Sequence, residues 1–322
     1  MRAINTVGNS LDNHPGVVAV VVTYHPDLIN FRANLRAITR QVDAVLIVDN
    51  GSSSLIQSAL AALTAVNLHA VLLTENIGLA AAQNRGIDWA RSLQARYVVL
   101  FDQDSQPNAK MVQCLVTVAE SSTLVDGTPA LVAPRFVDPY WPDLKPFTGH
   151  QDGRLCWLGC ADSNSVLEID AAIASGALIS LTSLDVIGGM REDLFVDLVD
   201  IEWCFRAREK GYALLGVCDA VLCHRLGDVP KKIMGRQLTM HSPLRSYYFF
   251  RNAVWMFQQS YVPRTWKTAV AIQLLKRLIV FSFLIVPRRS YLSYMTRGIW
   301  HGLVGRLGRI DKTHPVRVHV PA

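Results

Sequence analysis

Asp102-Gln103-Asp104 follows directly on the apolar run Tyr97-Val98-Val99-Leu100-Phe101. A short run of β-branched and aromatic residues, closed by polar ones, reads as a strand buried on both faces. Such a strand carries its two carboxylates to the carboxyl edge of a sheet, and in open α/β sheets ligands bind at that edge. Two aspartates separated by one residue suit a hard divalent cation that is itself holding a diphosphate. Carboxylates are also common in turns and as helix caps, so the tripeptide alone leaves both readings open.

The residues before it repeat the pattern. Val17–Thr23 is a β-branched run halted by His25-Pro26, after which Leu28, Leu35 and Ile38 recur at helical spacing. Ala44–Val48 reads as a second strand ending in the turn cluster Asp49-Asn50-Gly51-Ser52, with a helix over Leu55–Ala65 behind it. Ala70–Leu73 is a third strand, ending at Thr74-Glu75-Asn76, and an alanine-rich helix spans Gly78–Leu93. Strands and helices alternating at this pitch predict an α/β fold with a parallel sheet covered on both faces. Polar residues gather after the strands: Thr23-Tyr24, Asp49-Asn50, Asn76, and Asp102 with Asp104. Together these strand ends supply one side of a site. Taken singly, Asn50-Gly51 also suits a plain turn and Asn76 a helix cap.

Composition narrows the class. A chain of 322 residues, 50% of them hydrophobic, holds enough apolar material for one large domain or two ordinary ones. Residues 264–310 contain Arg264, Lys267, Lys276, Arg277, Arg288, Arg289, Arg297, Arg306 and Arg309 and neither Asp nor Glu. These bases flank apolar runs instead of forming a polar tract, which favours a membrane surface over a nucleic acid. The best candidate span, Leu278–Val286, is well short of the ~20 residues that a bilayer crossing needs. Residues 1–16 are polar and do not read as a secretory signal, so a cytoplasmic enzyme is expected. Cys156-x3-Cys160 and Cys223-His224 pair into no recognisable zinc spacing, and buried thiols are the expectation for the six cysteines. No Gly-x-Gly-x-x-Gly follows the first strand and there is no P-loop motif. A nucleotide held by side chains and a metal fits better.

Read in order, Val21-Val22-Thr23-Tyr24, Val48-Asp49-Asn50-Gly51-Ser52, Asn76-Ile77-Gly78-Leu79-Ala80-Ala81-Ala82-Gln83-Asn84 and Asp102-Gln103-Asp104 form a specific set. The set resembles the inverting GT-A glycosyltransferases of family 2, and most of all their rhamnosyltransferase branch, over roughly residues 16–255. The resemblance implies a GT-A fold, a nucleotide-sugar donor with dTDP-rhamnose favoured, Mg2+ or Mn2+, and direct transfer to a hydroxyl. It places donor contacts at Thr23, Tyr24, Asp49, Asn50, Asn76, Gly78 and Gln83. It makes Asp104 a metal ligand and puts Asp102 on the ribose or in the metal's water shell.

In the second half, Ile173-Ala174-Ser175-Gly176-Ala177-Leu178 is similar to the family's central strand, with small residues where a sugar approaches the backbone. Inverting transfer needs a carboxylate to take the acceptor proton, and the resemblance gives that role to Asp200. From spacing alone Asp200 is equally an N-cap, and Asp197 or Glu202 is placed to share the role; Glu202 and Arg206 also make an i,i+4 ion pair. His224, at the end of Ala220-Val221-Leu222-Cys223, falls where relatives carry a metal-binding histidine. Imidazole is a normal ligand for such an ion. Arg245 and Arg251, in an Arg/Tyr-rich stretch, read either as a diphosphate clamp or as the solvated face of a helix with aromatics inside.

The resulting expectation has three parts: a tail over 1–15, a GT-A domain over 16–255, and a basic, apolar helical extension over 256–322. That extension lies on the inner face of the cytoplasmic membrane or pairs with a second subunit. A saccharide, lipid-linked at that surface, is the expected acceptor. The rival is a silent scaffold with the same fold, against which stand Asp102, Asp104, Asp200 and His224, all present.

Overall fold

The computed structural model describes residues 16–63, 66–121, 129–141, 144–151, 154–224, 231–233, 236–238 and 241–310. The tail over 1–15 and the end of the chain, 311–322, lie outside the described residues, as does Ala65 of the expected second helix. The first half alternates β1 (Val17–Thr23), α1 (Leu28–Thr39), β2 (Ala44–Asp49), α2 (Ser54–Ala61), β3 (Leu68–Leu72), α3 (Leu79–Ser92) and β4 (Tyr97–Asp102). A short β5 (Gln106–Pro107), α4 (Met111–Ser121), β6 (Leu131–Val137), the hairpin β7 (Phe147–Gln151) and β8 (Arg154–Leu158), and β9 (Val166–Glu168) follow. Then come β10 (Leu178–Ser180), α5 (Leu181–Ile187), α6 (Val199–Glu209), β11 (Leu214–Cys223), the hairpin β12 (Lys231–Ile233) and β13 (Arg236–Leu238), and α7 (Pro243–Met256), α8 (Arg264–Phe283) and α9 (Arg288–Leu303).

The main sheet runs β3-β2-β1-β4-β10-β6-β11-β5, with β9 also on β11. The first four strands are parallel, as their unbroken apolar runs predict: every residue of β1 is buried. The wholly parallel sheet expected from the first half is corrected beyond β4, because β10 enters antiparallel to both β4 and β6. The expected strand over 173–178 is also corrected. Residues 173–177 form a turn with Gly176 at φ +79°, and β10 starts only at Leu178. Gly176 takes a left-handed conformation because the chain must reverse against Pro134, 2.7 Å from where a Cβ would sit.

Register places the ends of the parallel strands side by side. Val22 pairs with Asp102, and Thr23 with Asp49. Two apolar layers cover the sheet, one led by α3, α5 and α6 and the other by α1 and α4. Close approach of α3 depends on Gly86, where a Cβ would lie 2.1 Å from Val20.

Cys160 and Cys218 form a disulfide, which corrects the expectation of buried thiols throughout. The antiparallel pairing of β9 with β11 brings the two together, a contact between segments distant in sequence. Cys114, Cys156, Cys204 and Cys223 form no disulfide.

The C-terminal helices pack back on the domain. Gly298 and Gly302 let α9 lie against α7 so closely that Cβ atoms there would meet Tyr247 O at 2.6 Å and Arg251 O at 2.5 Å. In α8, Trp266, Val270, Leu274 and Phe281 face inward, while Ile272, Leu275, Ile279 and Phe283 are exposed on the opposite side. Among the described residues no helix is long and apolar enough to cross a membrane.

Candidate active site

Three side chains of metal-ligating type converge where β4 and β11 end. Asp102 closes β4, Asp104 sits in the following turn, and His224 follows β11 directly. The antiparallel pairing of Gln106-Pro107 with Leu222-Cys223 folds that turn onto the histidine. His224 Nε2 is 3.7 Å from Asp102 Oδ2, and its Nδ1 is 3.6 Å from Asp104 Oδ1. One ligand atom from each residue lies within 4.8 Å of the others. Two carboxylates and an imidazole, the acids part-exposed and the histidine buried, fit a divalent cation that keeps positions open toward solvent.

Behind the cluster lies a buried hydroxyl pair. Ser105 Oγ is 2.9 Å from His224 Nδ1 and 2.5 Å from Ser175 Oγ, and Ser175 Oγ accepts the backbone N–H of Asp102 at 3.2 Å. Burial raises the Asp102 carboxyl above its usual range; His224 opposes that shift and Asp104 adds to it.

Ser175 has a neighbour with a second duty. The backbone N–H of Ala174 donates to Asp200 Oδ2 at 3.1 Å, and Ile201 N–H donates to Asp200 Oδ1 at 2.9 Å. The turn over 173–177 therefore ties Asp200 to the Asp102 end of the cluster. Asp200 lies in the first turn of α6, entered through two left-handed residues, Asp197 at φ +65° and Leu198 at φ +62°. Positive φ in non-glycine residues is costly and collects at functional sites. Burial pushes Asp200 up to about 6 against the lowering effect of its backbone donors, with Asp102 adding to the rise. It is thus ionised at neutral pH while remaining basic enough to accept a proton.

Residues 19–158 match the family described as Glycosyl transferase family 2. Over 299 residues the chain is 30% identical to the dTDP-rhamnosyl transferase RfbF of Shigella flexneri, spanning 91% of this chain and 96% of that protein. The chain belongs to glycosyltransferase family 2. Two solved structures share its fold. GalNAc-T7 with UDP, GalNAc and Mn2+ superposes with a TM-score of 0.56 at 10% identity, over 91% of this chain and 56% of that one. Staphylococcus aureus TarS 1-349 in complex with UDP-GlcNAc gives 0.53 at 15% identity, over 89% and 81%.

In this family 2 glycosyltransferase the remaining candidates divide by what holds them. Asp49 is fully buried and accepts from Thr23 Oγ1, Ser52 N, Ser52 Oγ and Gln57 Nε2, so its carboxylate and the buried Thr23 hydroxyl brace the strand ends. Asn50 Oδ1 accepts Ile77 N–H, and Asn76 Oδ1 accepts Gly78 N–H, fixing the loop before α3. Gly78, at φ +98°, lets Phe195 press on the helix start; a Cβ would sit 2.6 Å from its ring. Tyr24 is part-exposed beside the site, its N–H bonded to Gln103 Oε1. Gln83 is buried, with no hydrogen-bond partner for Oε1 among the described residues.

The two arginines behave differently. Arg245 Nε donates to Asp197 Oδ1 at 3.0 Å, and its charge reaches Asp102. Arg251 is fully buried; its guanidinium donates to the carbonyls of Gly308, Asp193 and Leu194 and to Asn252 Oδ1. It ties α7 to the segment before α6 and to the chain beyond α9, and those acceptors, not solvent, take up its guanidinium. Glu202 is likewise buried, bonded by Arg206 at 2.8 Å and Tyr261 at 2.7 Å, which realises the ion-pair reading.

The sequence points to no role for Ser105 and counts Arg277 only among the bases that favour a membrane surface. A serine after Asp-x-Asp carries no local signal, and Arg277 was legible only as one base among many.

Proposed function

We propose that the chain is a metal-dependent inverting glycosyltransferase that moves rhamnose from dTDP-rhamnose onto a lipid-linked saccharide at the inner face of the cytoplasmic membrane. The observation that carries the reading is the turn over 173–177, which joins a part-buried, high-pKa carboxylate at Asp200 to the Asp102, Asp104 and His224 cluster. Asp104, His224 and Asp102 would hold Mg2+ or Mn2+, which supplies neutralisation of charge on a departing diphosphate. Asp200 takes the proton of the acceptor hydroxyl as that oxygen attacks the anomeric carbon, opposite the leaving nucleoside diphosphate. Asn50, Asn76 and Gly78 shape the floor for the nucleoside, with Tyr24 at its rim. The donor assignment draws on the relative named a dTDP-rhamnosyl transferase. In this reading residues 16–255 form the catalytic unit and 256–322 the extension.

The membrane part of the reading draws on α8. Its outer stripe of Ile272, Leu275, Ile279 and Phe283 is exposed and apolar, and Lys276 lies along the stripe, with Arg288 and Arg289 exposed just beyond. A helix apolar on two faces has one face still to cover. With no acid between 264 and 310, an anionic leaflet complements it, whereas a second copy would set like charges opposite one another.

Calorimetric titration with dTDP-rhamnose, dTDP-glucose, UDP-glucose, UDP-galactose and GDP-mannose, with and without Mn2+ or Mg2+, tests the donor and the metal together. Metal-dependent preference for dTDP-rhamnose is expected. Preference for another sugar keeps the transferase and removes rhamnose, and metal-independent binding removes the ion.

A further inference from the structure

Arg277 stands out on α8. It points inward, opposite the exposed stripe, and its guanidinium stacks 4.5 Å above the ring of Phe249. Phe249 follows Arg245 by one turn of α7, so the two side chains share a helix face. Arg277 is thereby brought beside Arg245, whose own charge reaches Asp102 of the cluster. The two guanidiniums oppose one another, both attracted to Asp197. Asp197 is itself part-buried, with one oxygen bound by Arg245 and the buried Oδ2 without a hydrogen-bond partner among the described residues.

Two further observations point to a ligand. Among the described residues the half-buried Arg277 guanidinium has its ring contact and no hydrogen-bond acceptor, which leaves five donors in search of one. His241, against the same pair, is held down to about 4 by burial and by Arg245 and Arg277, so it adds no charge at neutral pH and leaves the arginines to set the field. Two guanidiniums against the single acid Asp197 leave a net positive charge, and a planar fork matches a multiply charged phosphate.

We propose that Arg277 and Arg245 form an anion site beside the Asp102, Asp104 and His224 cluster that binds a diphosphate. This rests on the transferase reading and deepens it. The diphosphate has two sources in such a reaction: the nucleoside diphosphate leaving the donor, and the linkage between an acceptor saccharide and its lipid. Arg277 takes the second position of the clamp that Arg251 cannot fill.

The test titrates dTDP with Mg2+, and separately farnesyl diphosphate, into the full chain, Arg277→Met and Arg277→Lys. Methionine keeps an apolar stem over Phe249, and melting temperature reports folding. Loss of about tenfold or more in dTDP affinity for the Met variant is expected if the donor supplies the anion. The same loss for farnesyl diphosphate alone assigns the site to the acceptor. The lysine variant keeps the charge but loses the fork, and is expected to fall between; it carries the test if the Met variant unfolds. Wild-type affinity for both probes in a folded variant overturns the proposal. A wild-type chain that binds neither probe removes the transferase reading with it.

Discussion

Ser105 Oγ lies 2.9 Å from Nδ1 of His224. With Nδ1 engaged there, the ring presents Nε2 toward Asp102, 3.7 Å away. A metal-ligating histidine is commonly oriented by a partner on its other nitrogen; in the proposed metal site that partner would be Ser105, a buried hydroxyl bonded to Ser175. Ser105→Ala is expected to weaken Mn2+ affinity by about tenfold, read by electron paramagnetic resonance of free Mn2+. Unaltered affinity would show that the hydroxyl does not position the ring.

Asp104→Ala removes the most exposed member of the cluster, its side chain 47% accessible, so folding should be unaffected. Donor binding in the presence of metal should fall to its metal-free level. Calorimetry that finds the metal increment intact would take Asp104 out of the site.

Asp200→Asn should lower kcat by about 10³-fold, within the range for loss of a general base, with donor affinity nearly unchanged. In the wild type, kcat/KM should rise as pH passes through about 6 and level off above it, because the ionised carboxylate is the active form. Stability runs the other way. Burial raises the folded-state value, so the stabilising contribution of the proton is complete below the unfolded value of 3.8 and is lost as pH rises through about 6. Thermal melts across that window should show this slope in the wild type and a flatter profile in the Asn variant.

Arg251→Met should destabilise the fold by about 2–4 kcal/mol, because the carbonyls of Gly308 and Leu194 lose charged donors inside the protein. Urea unfolding measures it. A stable variant with weakened dTDP binding would instead return Arg251 to the donor site.

Ile272→Asp with Ile279→Asp should abolish co-sedimentation with phosphatidylglycerol vesicles, since both side chains are about half exposed on the outer stripe. Stability should change by less than about 0.5 kcal/mol per site, as at other surface positions. Retained vesicle binding would move the contact elsewhere.

Much of the fold could be read locally. The β-branched run Val17–Thr23 and the run ending at Phe101 became neighbouring buried strands, and the polar residues after them met at one edge because parallel pairing aligns strand ends. The Asp102, Asp104 and His224 grouping was anticipated by family resemblance, while its distances depend on the β5–β11 pairing. The strand expected over 173–178 rests on resemblance to the family's central strand; the turn at 173–177 instead depends on contact with Pro134, far away in sequence.

Sequence alone determined the alternation of strands and helices, the family and the positions of the acids, since these rest on patterns spanning a few residues or on ordered motifs. Tertiary structure decided which arginine is enclosed by carbonyls, which cysteines join, and which hydroxyl contacts His224. Arg251 and Arg277 are chemically equivalent in the chain. Glycine-mediated packing of α9 on α7 encloses the first in carbonyls, and the crossing of α8 over Phe249 delivers the second to Arg245. Those outcomes depend on helix packing across many residues, where close packing selects one arrangement and local propensity is silent.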